Sequence, residues 1–329
     1  MIKNSLKKLF IKLSRKLGYE IIDQNNFVSP TLNKQLNEDL SKFNQKSIVL
    51  PLGEVKITRH VKKLLIIFRT NSNIEIWDQN KKRIFEEKKI VYIEKSLNSL
   101  IKSIKFSEKD LPEMQIKLIV LDDNSTHENL AKISDIIKES NINYDIFKHD
   151  KTKYEKIIKR QKTNETFSNL SSLLTSFNLG KENGEDLIFF VEDDYIHFQS
   201  MISETVKTYQ RISSQLGKDI FICPSDYPFF YMSNEKTNIL LGNERHWRTI
   251  NKSLCTFFTS KALLNKYWDN FEKNCLDRHD PFEKYINEIY EKEICISPLK
   301  SLSLHLTNVN SSYGLSPFIN YKKLWDENE

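Results

Sequence analysis

Asp186-Leu187-Ile188-Phe189-Phe190-Val191-Glu192-Asp193-Asp194-Tyr195 is the stretch on which the fold depends. Five apolar residues of strand-forming type are followed directly by three acids. A short apolar run bounded by polar residues predicts a buried strand. Three adjacent carboxylates repel one another unless a cation or hydrogen-bond donors compensate their charge. The stretch therefore predicts a strand that ends either in a cation-binding acidic cluster or in a solvated acidic turn.

Two other apolar runs end in polar residues in the same way. The run 63–71 ends in Arg69-Thr70-Asn71, and the run 117–125 ends in Asp122-Asp123-Asn124-Ser125. Helical periodicity follows at 90–104, 129–138 and 165–178, and a further short strand is predicted at 144–147. This alternation predicts an α/β fold with a mostly parallel sheet flanked by helices and right-handed crossovers. The carboxyl ends of such strands share one sheet edge, where ligands bind.

The pattern changes after Tyr195. We predict helices at 198–216, at 257–275 beginning near Thr259-Ser260, and at 280–292, with a short strand at 220–224. The segment 224–253 is rich in aromatic and polar residues, which suits either a pocket for planar or sugar-like ligands or an aromatic surface hairpin. Before the first strand, 48–58 is expected to add a short strand or hairpin.

Composition narrows the class of protein. The chain has 329 residues, 39% of them hydrophobic, and a formal net charge of +6. It is therefore globular, and its mild basicity suits anionic substrates. Nucleic acid is not an expected partner, since the domain has no arginine-rich or aromatic-interleaved basic patch. The four cysteines form no Cys-x-x-Cys pair or zinc-ligand spacing, which indicates free thiols in a cytoplasmic protein.

The first 19 residues are amphipathic. Apolar residues recur at helical spacing, and six lysines and arginines fill the other face: Lys3, Lys7, Lys8, Lys12, Arg15 and Lys16. Such a helix either lies in an anionic membrane interface or docks on the domain or a partner. We find no secretory signal and no stretch long enough to span a bilayer. A cytoplasmic protein, peripheral on the inner face of the cytoplasmic membrane, is expected.

The three strand-end motifs together resemble those of metal-dependent nucleotide-sugar glycosyltransferases with the GT-A fold, most similar to the family 2-like transferases. Glu192-Asp193-Asp194 matches the DXD motif of that family. The likeness is good over 64–195 and weak elsewhere. It implies a Rossmann-like, GT-A-like fold with a nucleotide-sugar-binding half at 61–200 and an acceptor-binding half at 201–329. An amphipathic helix at 1–22 and a linker or irregular arm at 23–60 precede them.

The resemblance also implies roles for individual residues. Arg69 and Thr70 would line the nucleotide site, and Asp122 or Asp123 would contact the base or ribose. Glu192 or Asp193 would touch the ribose or a metal-bound water. Asp194 would bind the metal, manganese or magnesium, with His305 as a further ligand. Two simpler explanations stay open: a helix cap for one acid of Asp122-Asp123, and a core position for His305.

An inverting transfer needs a general base beside the acceptor hydroxyl. Asp280 is favoured, with Glu244 and Asp226 as further candidates. A helix cap is the simpler explanation for Asp280, and a surface ion pair is the simpler one for Glu244.

The resemblance thus predicts an inverting, hexosyltransferase-type enzyme. It would move a sugar from a nucleotide-diphosphate donor to a glycan or lipid-linked acceptor, in bacterial surface polysaccharide synthesis. Two alternatives stay open. A nucleotidyltransferase also uses acids at strand ends, although it usually has a glycine-rich phosphate loop, and this chain has only seven glycines. A catalytically inactive glycan-binding or scaffold module is the other.

Overall fold

The structure is a computed structural model that describes residues 2–19, 43, 46–49, 53–73, 84–232, 236–307 and 311–328. Its strands are β1 (Lys46–Val49), β2 (Gly53–Lys56), β3 (Lys63–Thr70), β4 (Gln115–Asp122), β5 (Tyr144–Lys148), β6 (Leu187–Glu192), β7 (Tyr195–His197), β8 (Phe221–Ile222), β9 (Ile239–Leu241), β10 (His246–Ile250), β11 (Phe257–Ser260), β12 (Cys295–Pro298) and β13 (Ser303–His305). Its helices are α1 (Ile2–Lys16), α2 (Lys89–Asp110), α3 (His127–Ser140), α4 (Asn164–Asn183), α5 (Met201–Leu216), α6 (Phe229–Met232), α7 (Lys261–Lys266), α8 (Trp268–Leu276), α9 (Lys284–Tyr290) and α10 (Tyr321–Asp326).

The described residues form a nine-stranded central sheet in the order β5-β4-β3-β6-β11-β8-β12-β10-β9. β5, β4, β3 and β6 are parallel, as are β8 and β12. β11 is antiparallel to both β6 and β8, and β10 is antiparallel to β12 and β9. The predicted α/β fold with a mostly parallel sheet flanked by helices is therefore confirmed, with a mixed sheet in its second half. Two small sheets, β1-β2 and β13-β7, accompany it.

The central strands are buried on both faces, which is why they are apolar without alternation. One face of the sheet packs against α2, α3 and α5, and the other packs against α4, α7, α8 and α9. β6 shows the pattern clearly, because Phe189 belongs to the first core and Phe190 to the second. The apolar run therefore stops where the strand leaves the core, and the acids lie at the sheet edge.

One predicted element is wrong in part. The predicted helix 257–275 begins as strand β11, and the helices α7 and α8 follow only from Lys261. Phe257 and Phe258 pair with Phe190 and Phe189 of β6, so these aromatic residues complete the sheet between β6 and β8. Ser260 then caps α7, since its hydroxyl accepts a hydrogen bond from the N–H of Leu263. Periodicity alone does not separate a short buried strand from the helix that continues it.

Other elements agree with the sequence to within a few residues at their ends. α5 begins at Met201, β8 is only two residues long, and α9 covers Lys284–Tyr290. The hairpin expected at 48–58 is present as β1 and β2. The aromatic segment after Pro224 contributes α6 and the β9-β10 hairpin. Of the predicted arm 23–60, nearly all of the part 23–45 lies outside the described residues, and the division into two halves stays a prediction.

Candidate functional site

The polar ends of β3, β4 and β6 meet at one edge of the sheet. β3 lies between the other two strands, so Arg69 pairs with Glu192 on one side and Thr70 with Asp122 on the other. The N–H of Asp123 donates to the carbonyl of Thr70 at 2.8 Å. The three motifs, separated by up to 123 residues in sequence, are therefore neighbours in space, as their positions at parallel strand ends predict.

The first acid, Glu192, is turned toward Arg69. Nη2 of Arg69 lies 2.7 Å from Oε1 of Glu192, and its Nη1 donates to Asn169 and Ser172 of α4. Burial raises the pKa of Glu192, although Arg69 opposes this shift. Burial by itself would lower the pKa of Arg69, but the Glu192 carboxylate reverses the shift and raises it. Arg69 anchors the end of β6 to α4, and its place in the nucleotide site stays a prediction.

The second acid, Asp193, has partners for both oxygens. Its Oδ2 accepts from Oγ1 of Thr70 at 3.1 Å and from the N–H of Asn71 at 3.0 Å. Its Oδ1 forms an ion pair with Nζ of Lys89, at the start of α2. Asp193 therefore holds β3, β6 and α2 together.

The third acid, Asp194, faces His305. Oδ2 of Asp194 lies 3.3 Å from Nε2 of His305, which sits in β13 opposite Tyr195 of β7. The Tyr195 ring stacks on the imidazole with centroids 4.8 Å apart. Nδ1 of His305 donates to the carbonyl of Tyr313 at 3.0 Å, which leaves Nε2 directed at the carboxylate. The structure thus brings together the two residues predicted as metal ligands, which are 111 residues apart in the sequence.

Each member of this pair shifts the pKa of the other. Burial by itself would raise the pKa of Asp194, but the charge of His305 and hydrogen bonds from His305 and Thr307 lower it well below its ordinary value. Burial would lower the pKa of His305, and the Asp194 carboxylate reverses this and raises it. The arrangement therefore favours an ionised Asp194.

A divalent cation fits this pair. Oδ1 of Asp194 is buried and has no hydrogen-bond partner among the described residues. Carboxylate oxygen and imidazole nitrogen suit Mn²⁺, and carboxylate oxygen suits Mg²⁺. No group of three or more His, Cys, Asp or Glu side chains within the described ranges is arranged to hold a metal. Glu192 and Asp193 are turned away, so ligands beyond Asp194 and His305 would come from water and substrate.

Asp122 and Asp123 lie on the other side of Thr70. Oδ2 of Asp123 accepts from Oγ of Ser168 at 2.6 Å and from Nδ2 of Asn71 at 3.3 Å. Oδ2 of Asp122 accepts from the N–H of Ser125 at 3.3 Å, while its Oδ1 is buried without a hydrogen-bond partner in the described part of the chain. Burial raises the pKa of Asp122. The cap of α3 is Thr126, which leaves the two acids available for another role.

The carboxylates predicted as general bases lie in three different places. Glu244 is exposed in the β9-β10 turn, four strands from β6 in the sheet order, which corresponds to roughly 20 Å at the usual strand spacing. Asp226 follows β8 at the same edge but is fully buried and paired with Arg248. Asp280 is exposed in the α8-α9 connection. None of them is brought into the acidic cluster.

Several residues at this edge escaped sequence reasoning. Glu283, at the start of α9, accepts from Sγ of Cys255 at 3.9 Å, beside Thr256, whose hydroxyl accepts the N–H of Glu192. Lys89 reaches Asp193 from α2. Neither Glu283 nor Lys89 belongs to a recognisable sequence motif. An isolated lysine at a helix start carries no signal until the topology shows which strand end it faces.

A comparison with protein-family models finds no match for this sequence, and a comparison with curated proteins finds none either. Among solved structures, S. aureus TarS 1–349 is 15% identical with a TM-score of 0.42, and the match covers 73% of this chain and 59% of that one. The galactosyltransferase LgtC, solved with donor and acceptor sugar analogues, is 12% identical with a TM-score of 0.38, over 70% of this chain and 72% of LgtC.

UDP-glucose pyrophosphorylase, solved with UDP-glucose, is 9% identical with a TM-score of 0.35, over 75% of this chain and 94% of that one. The chain spans less than two thirds of the length of TarS 1–349.

Proposed function

We propose that the protein is a metal-dependent glycosyltransferase that moves a sugar from a nucleotide-diphosphate donor to a glycan or lipid-linked acceptor. One observation supports it above the others: Asp194, with an unpartnered buried oxygen, and His305 face each other where the polar ends of three parallel strands meet. The setting would be bacterial surface polysaccharide synthesis.

Asp194 and His305 would hold Mn²⁺ or Mg²⁺. When bound, such an ion neutralises the diphosphate and stabilises it as a leaving group. Asp193 keeps Thr70 and Asn71 in place, so that the end of β3 has a fixed shape. The free oxygen of Asp122 would accept a hydrogen bond from the base or ribose. The ion pair between Glu192 and Arg69 would support the site indirectly, because it fixes the backbone that carries Asp194.

The resemblance favours inversion, which requires a base on the acceptor side. Asp280 and Glu244 are the exposed candidates that the sequence suggests, whereas the third, Asp226, is buried against Arg248. Glu283 joins them because it lies at the sheet edge beside Cys255. The variants Asp280→Asn, Glu244→Gln and Glu283→Gln would identify the base. Loss of transfer with intact donor binding is expected for one of them. Wild-type transfer in all three would exclude these carboxylates as the base.

Nucleotide binding tests the proposal directly. Titration of the full chain with UDP- and GDP-sugars should show binding of one nucleotide that Mn²⁺ strengthens. Asp194→Ala should abolish the metal effect while circular dichroism shows an intact fold. Asp145→Ala is the matched control, since this acid is exposed on edge strand β5. Equal metal-dependent binding by Asp194→Ala would refute the metal site.

The two other functions predict different outcomes. Release of pyrophosphate from a nucleoside triphosphate and a sugar phosphate would indicate a nucleotidyltransferase. Binding of a glycan with no nucleotide bound would indicate an inactive module.

We also propose that α1 places the enzyme on an anionic membrane surface. Among the described residues, no helix has the length and apolarity needed to cross a bilayer. Four apolar side chains of α1 and the turn after it are nonetheless exposed: Leu9, Phe10, Leu13 and Leu17 are between 58% and 70% exposed. Exposed basic residues flank them, including Lys12 and Lys16. An apolar stripe beside lysines suits a bilayer that contains anionic lipids.

Flotation with vesicles of phosphatidylglycerol and phosphatidylcholine would test this placement. The double variant Lys12→Gln/Lys16→Gln should bind anionic vesicles roughly 30-fold more weakly, because each lysine near such a surface contributes about 1 kcal/mol. The control Lys132→Gln/Lys138→Gln makes the same charge change on α3. Equal weakening by both pairs, or no binding by the wild type, would contradict the membrane role of α1.

A further inference from the structure

Lys89 is the first residue of α2 and carries its ammonium group to the acidic strand ends. Nζ forms an ion pair with Oδ1 of Asp193. The Lys89 side chain is 18% exposed and that of Asp193 is 11% exposed, so water screens the pair only weakly. Exposed ion pairs contribute little because two mobile side chains must be ordered in water. Here the helix and the buried carboxylate fix the position of the ammonium group instead.

Asp193 does not need Lys89 in order to hold the strands together. Its Oδ2 already accepts from Thr70 and Asn71, which join β3 to β6. Ordering and partly burying a lysine side chain costs conformational entropy and desolvation. The ammonium group of Lys89 is therefore expected to have a role other than holding the strand ends together.

The ammonium group has capacity for a ligand. It carries three N–H donors, and within the ranges that the structure describes Asp193 is its only hydrogen-bond partner. Its partner Asp193 directly precedes Asp194 in the chain, so Lys89 lies at the same strand end as the Asp194-His305 pair. The amino end of α2, where Lys88 makes no side-chain cap, adds a partial positive charge at the same place.

We infer that Lys89 binds a phosphate oxygen of the nucleoside diphosphate at the end of β6 and so positions the leaving group. The inference rests on the proposed function and adds to it a residue that no motif marks. A lysine supplies a compact charge with rotatable donors, which suits a diphosphate whose oxygens change partners during transfer. Asp193 is then the residue that orients Lys89, and it has no need to contact the substrate.

A ligand series separates phosphate binding from a purely structural role. The full chain and the variants Lys89→Met and Lys89→Arg are titrated with uridine, UMP and UDP and with the corresponding guanine compounds, with and without Mn²⁺. Lys89→Met should weaken binding of the diphosphate roughly 10- to 100-fold, the range expected for a lost charge-assisted hydrogen bond. Nucleoside binding should not change. Lys89→Arg should retain most of the diphosphate affinity.

The control is Lys105→Met, which removes an exposed lysine from the same helix and should change no affinity. Unchanged diphosphate affinity in Lys89→Met would overturn the inference and leave the proposed function standing. Equal weakening of nucleoside and diphosphate would also overturn it, since Lys89 would then act through the fold. Failure of the wild type to bind any nucleotide would remove the proposed function and this inference together.

Discussion

Replacing Arg248 by methionine removes the cation from a buried ion pair and leaves its carboxylate in place. Asp226 is 0% exposed and the Arg248 side chain 6% exposed, and Nη2 of Arg248 contacts Oδ1 of Asp226. The rings of Phe230 and Tyr231 lie against the guanidinium, with centroids 4.8 and 4.4 Å from Cζ. Methionine keeps the length of the side chain but supplies neither charge nor donors.

The expected loss follows from the partners that remain. Removing one partner of a buried ion pair costs about 3–5 kcal/mol of unfolding free energy. Tyr231 still donates to Oδ2 of Asp226 at 2.6 Å. We therefore expect the lower end, about 3 kcal/mol. The melting temperature should fall by roughly 5–10 °C for a chain of this size.

The loss should depend on pH, with a definite sign. Burial raises the pKa of Asp226, while the Tyr231 hydrogen bond and Arg248 oppose the shift. Without Arg248 the pKa in the folded variant rises further, so above the unfolded value of about 3.9 the folded state binds more protons than the unfolded state. The stability of Arg248→Met therefore increases as pH falls from 7 to 5, by at most about 1.4 kcal/mol per unit.

Urea denaturation of wild type and variant at pH 7, 6 and 5 measures both effects. Asp226→Asn/Arg248→Met should recover part of the loss at pH 7, because no buried charge then remains unpaired. Arg160→Met serves as the control, since Arg160 is exposed, and should change stability by less than about 0.5 kcal/mol. A loss below about 1 kcal/mol at pH 7, or one that grows as pH falls, would refute the reasoning.

Two further predictions concern the cores. Gly180→Ala in α4 should destabilise the fold by about 1–2 kcal/mol despite the helix propensity of alanine, because a Cβ there would lie 2.7 Å from Cζ of Phe190; increased stability in urea denaturation would contradict this. The four cysteines should not react with a thiol reagent at pH 8 until urea is added, since all are buried and burial raises the pKa of Cys223 to about 12. Rapid modification of the folded protein would show that a thiol is accessible.

Sequence reasoning was most successful at the parallel strands. β3, β4 and β6 are apolar because both of their faces are buried, and each ends where polar residues begin. The strand-helix alternation also predicts that their carboxyl ends share one edge of the sheet. Only the family resemblance predicts that Asp194 and His305 act together, since a lone histidine in an apolar run carries little information of its own.

The mixed half of the sheet is harder to predict from the sequence. Phe257 and Phe258 form a strand because β6 and β8 lie on either side of them, so tertiary contacts decide this element. For Asp226, likewise, the sequence does not show which side chain will be its partner. Its sequence context allowed a general base, whereas the fold buries it against Arg248 of a strand that comes 22 residues later.

The sequence by itself determined that three acids would leave a buried strand at the ligand-binding edge of an α/β sheet, because apolar runs and helical periods are local properties. Only the tertiary structure decided what each acid does. Glu192 turns to Arg69, Asp193 to Lys89 and Asp194 to His305. Adjacent carboxylates differ only in direction, and their direction is set by the basic groups that β3, α2 and β13 bring to them across the fold.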